Sequence, residues 1–268
     1  MPLFSIIIPT YNAANVIGNS IASVLEQTFK EVEICVIDAA STDETMSIVQ
    51  RFDDPRIRIV SEPDKGIYDA MNKGIRMSKG TWIYLMGSDD RLYNPTVLTT
   101  IASEIQKEQP LHVLYANVWN ERFNEKYNGV YYDEKLFHDN ICHQSIFFHR
   151  SVFDTTGLFD LKYKAHADWD HNIKWFFAPQ IKKKYSDAII AYYAAGGFSA
   201  QHGDPLFAAD KIFNYLKYGY RLSRKSTRHQ LWKMELDKAK NQNDMKRVCK
   251  LLWYYRYVLP RCQQNVVH

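Results

Sequence analysis

The chain has 268 residues, 46% hydrophobic and 24% charged, with a formal net charge of +4. That length buries one substantial core with at most a smaller appendage, and the balance excludes a disordered chain. Four cysteines, Cys35, Cys142, Cys249 and Cys262, form no CxxC pair and no regular framework, which fits a reducing compartment and argues against structural zinc.

Taken in order, Ser5-Ile6-Ile7-Ile8 reads as a buried strand stopped by Pro9-Thr10-Tyr11-Asn12. Pro9, Asn12 and Asn15 interrupt the apolar N-terminus too early for a signal peptide. A helical pattern follows, with Val16, Ile17, Ile21, Val24 and Leu25 on one face. Val32 to Asp38 is a second strand ending in a carboxylate, and Ser41-Thr42-Asp43-Glu44 caps a helix reaching about Phe52. Ile57 to Val60 is a third strand, and Ile67 to Met77 a helix with Met71 and Ile75 inward.

Trp82 to Met86 reads as the next buried strand, introduced by Lys79-Gly80 and halted at Gly87-Ser88-Asp89-Asp90. Taken alone, the two carboxylates suit either a ligand site beyond the strand end or a cap for the helix from Pro95. Strand–helix alternation with short connections specifies an α/β fold, with a largely parallel sheet between two helical layers. Three strand ends, at Thr10-Tyr11-Asn12, Asp38 and Asp89-Asp90, then carry polar groups to one rim, which favours the site.

Beyond residue 110 the pattern loosens. His112 to Trp119 reads as a strand, Gly129 to Tyr132 as a hairpin piece, and His143 to His149 as a strand. Asp168 to Phe177 reads as a helix and Ala188 to Tyr193 as a last strand. The polar connections 120–142 and 194–205 suit acceptor-binding or lid loops. Residues 207–258 alternate aromatics with Lys and Arg at helical spacing. No stretch is long and apolar enough to span a bilayer.

No GxGxxG opens a helix after the first strand, and there is neither a GxxxxGK[ST] loop nor a GxSxG elbow. What remains is a nucleotide-sized crevice whose paired carboxylates suit a hard divalent cation such as Mg²⁺ or Mn²⁺.

The segments Ser5 to Asn12, Val36 to Asp43, Asp64 to Asn72 and Gly87 to Asp90 follow one another in the order and spacing of family-2 glycosyltransferases. The resemblance covers roughly residues 4–200. It is nearest to bacterial enzymes building capsule, O-antigen or colanic acid, and it implies the GT-A fold. It implies a domain of residues 1–204, with a nucleotide-sugar half at 1–110 and an acceptor half at 111–204; residues 205–268, basic and aromatic-rich at helical spacing, read as a helical extension. It further implies nucleotide contacts from Pro9, Tyr11 and Asp38 with Asp69 close by. Ser88 and Asp89 would meet the donor, and Asp89 and Asp90 the metal and donor diphosphate. His143-Gln144, Gly157 to Asp160 and Ala165 to Asp170 resemble the acceptor half, where the family's catalytic base aligns with Asp168.

The implied reaction transfers a sugar, with inversion, from a nucleotide diphosphate sugar of the uridine class to a hydroxyl of a saccharide or lipid-linked saccharide. The sequence departs from the family pattern at Ala39, Gly87 and Ala167, where acidic residues often stand. The Gln-x-x-Arg-Trp of processive synthases is absent, so one transfer per encounter is expected. His202, in a glycine-flanked loop, is a candidate further metal ligand, although an exposed loop histidine is the plainer reading. Lys65 and Arg91 could meet the diphosphate. Tyr11 and Trp119 are placed for stacking, whereas Trp169, Trp175, Phe176 and Phe177 are expected in the core.

The alternatives are a nucleotidyltransferase, which lacks its basic glycine-rich loop here, and a non-catalytic nucleotide- or carbohydrate-binding module. Residues 1–204 carry a charge balance of −6 and residues 205–268 one of +10. That basic, aromatic tail suits peripheral contact with an anionic membrane from the cytoplasmic side, and the acidic remainder opposes nucleic acid. Oligomeric state is not legible.

Overall fold

The computed structural model describes residues 1–193, 202–220 and 222–258. Nine strands form one mixed sheet: β1 Phe4–Thr10, β2 Val32–Asp38, β3 Ile57–Ser61, β4 Trp82–Leu85, β5 Arg91–Leu92, β6 Val113–Asn120, β7 Glu125–Tyr127, β8 Ile146–His149 and β9 Lys183–Tyr193. The order is β3-β2-β1-β4-β8-β6-β9-β5, with β7 paired to β6. The helices are α1 Ile17–Leu25, α2 Thr45–Gln50, α3 Ile67–Met77, α4 Val97–Lys107, α5 Asp133–His138, α6 Ser151–Thr156, α7 Ala167–Phe176, α8 Pro205–Gly219, α9 Lys225–Asn241 and α10 Met245–Trp253.

Strands β3, β2, β1 and β4 are mutually parallel, and β8 then joins β4 antiparallel. β1 and β2 are buried along their whole length, so their centres, Ile6 to Ile8 and Ile34 to Ile37, read as continuous apolar runs. Alternate residues feed two cores. Ile7, Cys35, Ile37 and Leu85 pack under Tyr68, Met71 and Ile75 of α3. Phe4, Ile6, Ile8, Val36 and Tyr84 pack against α1 and α4. Gly74 lets α3 lie close on the sheet, because a Cβ there would collide with Ile7 and Ile37.

From β1 the chain steps to β2 on one side, and after α3 it crosses to β4 on the other. The carboxyl ends of β1 and β4 therefore bound a topological switch point, where α/β sheets bind ligands. That crevice holds the candidate site.

The second half differs from the sequence expectation in detail. The hairpin strand is Glu125–Tyr127 rather than Gly129–Tyr132, because Asn128 and Gly129 take φ of 115° and 72° and turn the chain. His143–Ser145 is a 3₁₀ turn ahead of β8, and α4 begins at Val97, after the two-residue edge strand β5. Helix α8 shares the core of α7: Phe207 packs on Trp169 and Tyr163, with ring centroids 5.4 Å from each. Asp204 caps α8 by accepting from Phe207 N–H at 3.0 Å and also accepts from Ala165 N–H at 3.0 Å.

Candidate active site

Two adjoining cavities open at the switch point. The larger, about 700 Å³, is lined by Pro9, Tyr11, Asn12, Asp64, Gly66, Ser88 and Asp89 among others. Its floor is the loop after β1, stitched to the loop after β2. Asn12, held at φ 48°, accepts from Thr42 N–H at 2.9 Å, and Asn12 N–H donates to Ser41 Oγ at 2.8 Å. Ala13 N–H donates to Thr45 Oγ1 at 2.7 Å. Pro9, Tyr11, Ser88 and Asp89 all line this cavity, and Tyr11 stands exposed at its mouth.

Two expected nucleotide contacts are not on this surface. Asp38 is fully buried, its carboxylate accepting from Ser41 Oγ at 2.5 Å, Ser61 Oγ at 2.6 Å and Ser41 N–H at 3.1 Å. It pins the turn after β2 to β3, and Ala39 lines the cavity in its place. Asp69 accepts from Lys65 N–H at 3.1 Å and lies 3.9 Å from Lys73 Nζ, so it closes the first turn of α3. Thr10, Asn12, Asp64 and Gly66 also line the cavity, and all four lie inside the quoted motifs, although no donor contact was assigned to them.

The carboxylate pair divides into an outer and an inner member. Asp89 is exposed and lines both cavities. Asp90 is 2% exposed and its Oδ2 accepts from Gly87 N–H at 2.8 Å. Asp90 therefore braces its own turn, which corrects its expected role as a direct ligand at the surface. Burial, and then the charge of Asp89, push its carboxyl up to about 6, against hydrogen bonds from Gln144 and Gly87 that act the other way. A Cβ on Gly87 would sit 2.6 Å from Asp90 Oδ2 and 2.8 Å from Asp89 Oδ1. Glycine is what this turn accommodates.

For a cation, the exposed Asp89 carboxylate offers hard oxygen donors, and an ion there would also relieve its repulsion of Asp90. Among the described residues no cluster of three or more His, Cys, Asp or Glu forms a complete ligand set. An ion at Asp89 would thus rely on donor phosphate and water for the rest of its shell. His202 is exposed just ahead of α8; most of its loop, 194–201, lies outside the described residues. Arg91 is engaged elsewhere, with Glu121 at 2.8 Å and over the Tyr192 ring.

The second cavity, about 300 Å³, lies between α3, the 138–144 segment and the start of α7. Asp168 is at its wall, 4% exposed, in the first turn of α7. Oδ1 accepts from the Tyr68 hydroxyl at 2.7 Å and Oδ2 from Asn140 Nδ2 at 2.8 Å, with His143 Nδ1 3.8 Å from Oδ2. Burial alone would raise its pKa, but His143, Tyr68 and His166 outweigh that and hold the carboxyl below its ordinary value. Tyr68, wholly buried beside that charge, is pushed well up and remains a donor.

Trp169 is a correction: it lines this cavity, fixed by its indole N–H to the Leu136 carbonyl at 2.8 Å. Trp175 and Phe177 are in the core as expected. Trp119, expected to stack on substrate, instead packs against Tyr93 with centroids 6.2 Å apart, and lines neither cavity. Asp170 points the other way, to Lys174 Nζ at 2.6 Å and Asn214 at 2.8 Å. Sequence reasoning missed Tyr68 and Asn140, although Tyr68 lies within the quoted Asp64–Asn72 segment.

The sequence pattern described as Glycosyl transferase family 2 matches residues 5–173. A PGL/p-HBAD biosynthesis glycosyltransferase of Mycobacterium bovis is 39% identical over 203 residues, 74% of this chain and 79% of that protein. The chondroitin synthase of Escherichia coli is 32% identical over 182 residues, 65% of this chain but 26% of that longer protein. S. aureus TarS 1–349 in complex with UDP-GlcNAc superimposes with TM-score 0.65 at 17% identity, covering 96% of this chain and 92% of that one. Mannosyltransferase PcManGT from Pyrobaculum calidifontis, in complex with GDP-Man and Mn²⁺, gives 0.61 at 17%, covering 97% and 72%. Those two likenesses speak for the fold. With the family pattern running from β1 into α7, and a relative 39% identical across most of both chains, the protein belongs to glycosyl transferase family 2 and carries the GT-A fold.

Proposed function

We propose that the protein is a metal-dependent, inverting, non-processive hexosyltransferase. It would move a sugar from a nucleotide diphosphate sugar, of the UDP class, to a hydroxyl of a saccharide or lipid-linked saccharide in surface polysaccharide or glycolipid synthesis. The observation that carries this reading is Asp168. It is a buried carboxylate held ionised at the wall of a cavity that meets the nucleotide-sized cavity at Asp89. Names of relatives and neighbours support the donor class, since they include complexes with UDP-GlcNAc and GDP-Man.

Residues 1–110 hold the donor, with Pro9 and Tyr11 at the nucleotide and Ser88 and Asp89 at the diphosphate. Residues 111–204 form the acceptor side, with Trp169 as a stacking surface for a sugar ring. Asp168 accepts the proton of the acceptor hydroxyl while that oxygen bonds to the anomeric carbon and the carbon–diphosphate bond breaks. Asp89 would hold a Mg²⁺ or Mn²⁺ ion, which would supply charge neutralisation for the departing diphosphate. A general base in this position contributes about 10²–10⁴-fold.

The outward side of α10 exposes Met245, Leu252 and Trp253 beside Lys246 and Lys250. No helix among the described residues is long and apolar enough to cross a membrane. Peripheral attachment of a cytoplasmic enzyme to anionic lipid through residues 205–268 fits that face, at about 1 kcal/mol per basic residue near the surface. Flotation with anionic vesicles tests it; undiminished binding after deletion of the extension sinks the idea.

The functional test is a thermal-shift panel of nucleotide sugars with Mn²⁺, followed by transfer assays with the sugar that binds. Stabilisation by one donor and transfer to a saccharide acceptor are expected. Donor binding with equal slow hydrolysis by the native protein and Asp168→Asn would favour a non-catalytic binding module instead.

A further inference from the structure

Behind Asp168 runs a chain of polar groups that none of the family motifs contains. On α7, Asp168, Asn172 and Trp175 stand at i, i+4 and i+7 and share one helix face. The Trp175 indole N–H donates to Asn172 Oδ1 at 2.8 Å. Asn172 Nδ2 donates to Asn140 Oδ1 at 2.9 Å and to the Ile141 carbonyl at 2.9 Å. Asn140 Nδ2 donates in turn to Asp168 Oδ2 at 2.8 Å. Asn172 and Trp175 are buried and away from the cavity, which only Asn140 and Asp168 reach.

The two ends of an amide are alike in shape, so its orientation must come from its partners. An indole nitrogen only donates, and a backbone carbonyl only accepts. Trp175 and Ile141 therefore grip Asn172 from both ends and leave it one orientation. Asn172 can then offer Asn140 nothing but an N–H, so Asn140 must turn its oxygen inward and its own N–H₂ outward. Each member fixes the next.

We infer that Trp175 and Asn172 are positioning residues for the reaction, acting through Asn140 so that Asp168 Oδ2 always meets a donor and never an acceptor. The inference rests on the proposed role of Asp168 as the base. Tyr68 serves Oδ1 in the same way, and between them the two donors hold the plane of the carboxylate. Its remaining lone pairs are left for the acceptor hydroxyl. Without the chain the Asn140 amide is free to invert, which would set Oδ1 of Asn140 against Oδ2 of Asp168. That contact is relieved only when Asp168 carries a proton, the form that cannot act as a base.

The ionisable groups around Asp168 are Tyr68 from α3, Cys142 and His143 from the 3₁₀ segment, His166 and His171 around the start of α7, and Tyr193 from β9. The test changes none of them. The Asp168 carboxyl is titrated by ¹³C NMR in the full chain, assigned by its loss in Asp168→Asn, and repeated in Asn140→Ala and Asn172→Leu. All the exchanges are uncharged, so no new field is introduced. Both variants should raise the titration midpoint, by about one pH unit. With the donor that binds, both should move the acid limb of kcat upward by about the same one pH unit while KM for that donor stays put.

A raised midpoint in Asn140→Ala with an unmoved one in Asn172→Leu overturns the chain, whatever happens to thermal stability. Should Asn172→Leu fail to fold, Trp175→Phe keeps an aromatic in the core, removes the indole donor, and is judged by the same criterion. The titration uses no substrate. Its failure counts against the chain alone, whereas sugar transfer by Asp168→Asn counts against the base.

Discussion

Asp90→Asn should make the protein more stable at pH 8 and change little at pH 4. Asp90 is enclosed and carries a carboxyl raised from 3.8 to about 6 by burial and by Asp89. Between those values the folded chain holds a proton that the unfolded chain has released. Stability therefore falls as pH rises through that window, and the penalty is complete above it. Two units at 1.36 kcal/mol each put the penalty at about 3 kcal/mol as an upper bound. Asparagine removes the charge while its oxygen can still accept from Gly87 N–H, a bond whose charged form that value already includes. A gain of up to about 3 kcal/mol corresponds to a rise in Tm of up to about 6–12 °C for a chain of this size. Thermal melts of the native protein and Asp90→Asn from pH 4 to pH 8, in chelator, read the difference directly. A Tm difference that stays flat or reverses across that range would refute the assignment of Asp90 as a buried, repelled carboxylate.

Tyr68→Phe removes one donor to the Asp168 carboxylate, an interaction worth about 1.5–3 kcal/mol. Because Asp168 is held below the ordinary carboxylate range, the acid limb of kcat/KM should move upward by about one to two pH units, with activity at pH 8 little changed. Trp169→Ala should raise the acceptor KM and leave the donor KM unchanged; the reverse pattern contradicts its place in the smaller cavity. Chelation should abolish transfer, Mn²⁺ should restore it, and Asp89→Ala should lose that restoration in the same assay. Gly74→Ala forces a methyl between Ile7 and Ile37 and should cost about 1–3 kcal/mol in a denaturant melt.

Most of the first half was legible because its signals are local. Val32–Asp38 and Ile67–Met77 have the same bounds in sequence reading and in structure, since one is a continuous apolar run and the other a clean helical stripe. β5 is two residues whose strand pairing comes from β9, about a hundred positions later, and no local pattern marks such an edge. The loop residues Asn128 and Gly129 displaced the hairpin strand through backbone conformation rather than hydropathy. Of the residues that line the cavities, Asp89 and Tyr11 stood out at strand ends and Asp168 through the family resemblance. Which groups face a cavity was not legible. Asp38 is withdrawn by Ser61, which lies on the next strand, and Asp168 is served by Tyr68, a hundred residues before it. Trp169 and Trp175 sit on one helix with similar sequence surroundings, and only the packing of α8 and the 138–144 segment decides which of them faces a cavity.

The central claim is that Asp168 takes the proton from the acceptor. The most direct measurement is the rate of sugar transfer by Asp168→Asn, with binding of the same nucleotide sugar measured on the same preparation. Transfer reduced by about 10²–10⁴-fold with donor affinity unchanged is the predicted result. Transfer at the native rate would contradict the account.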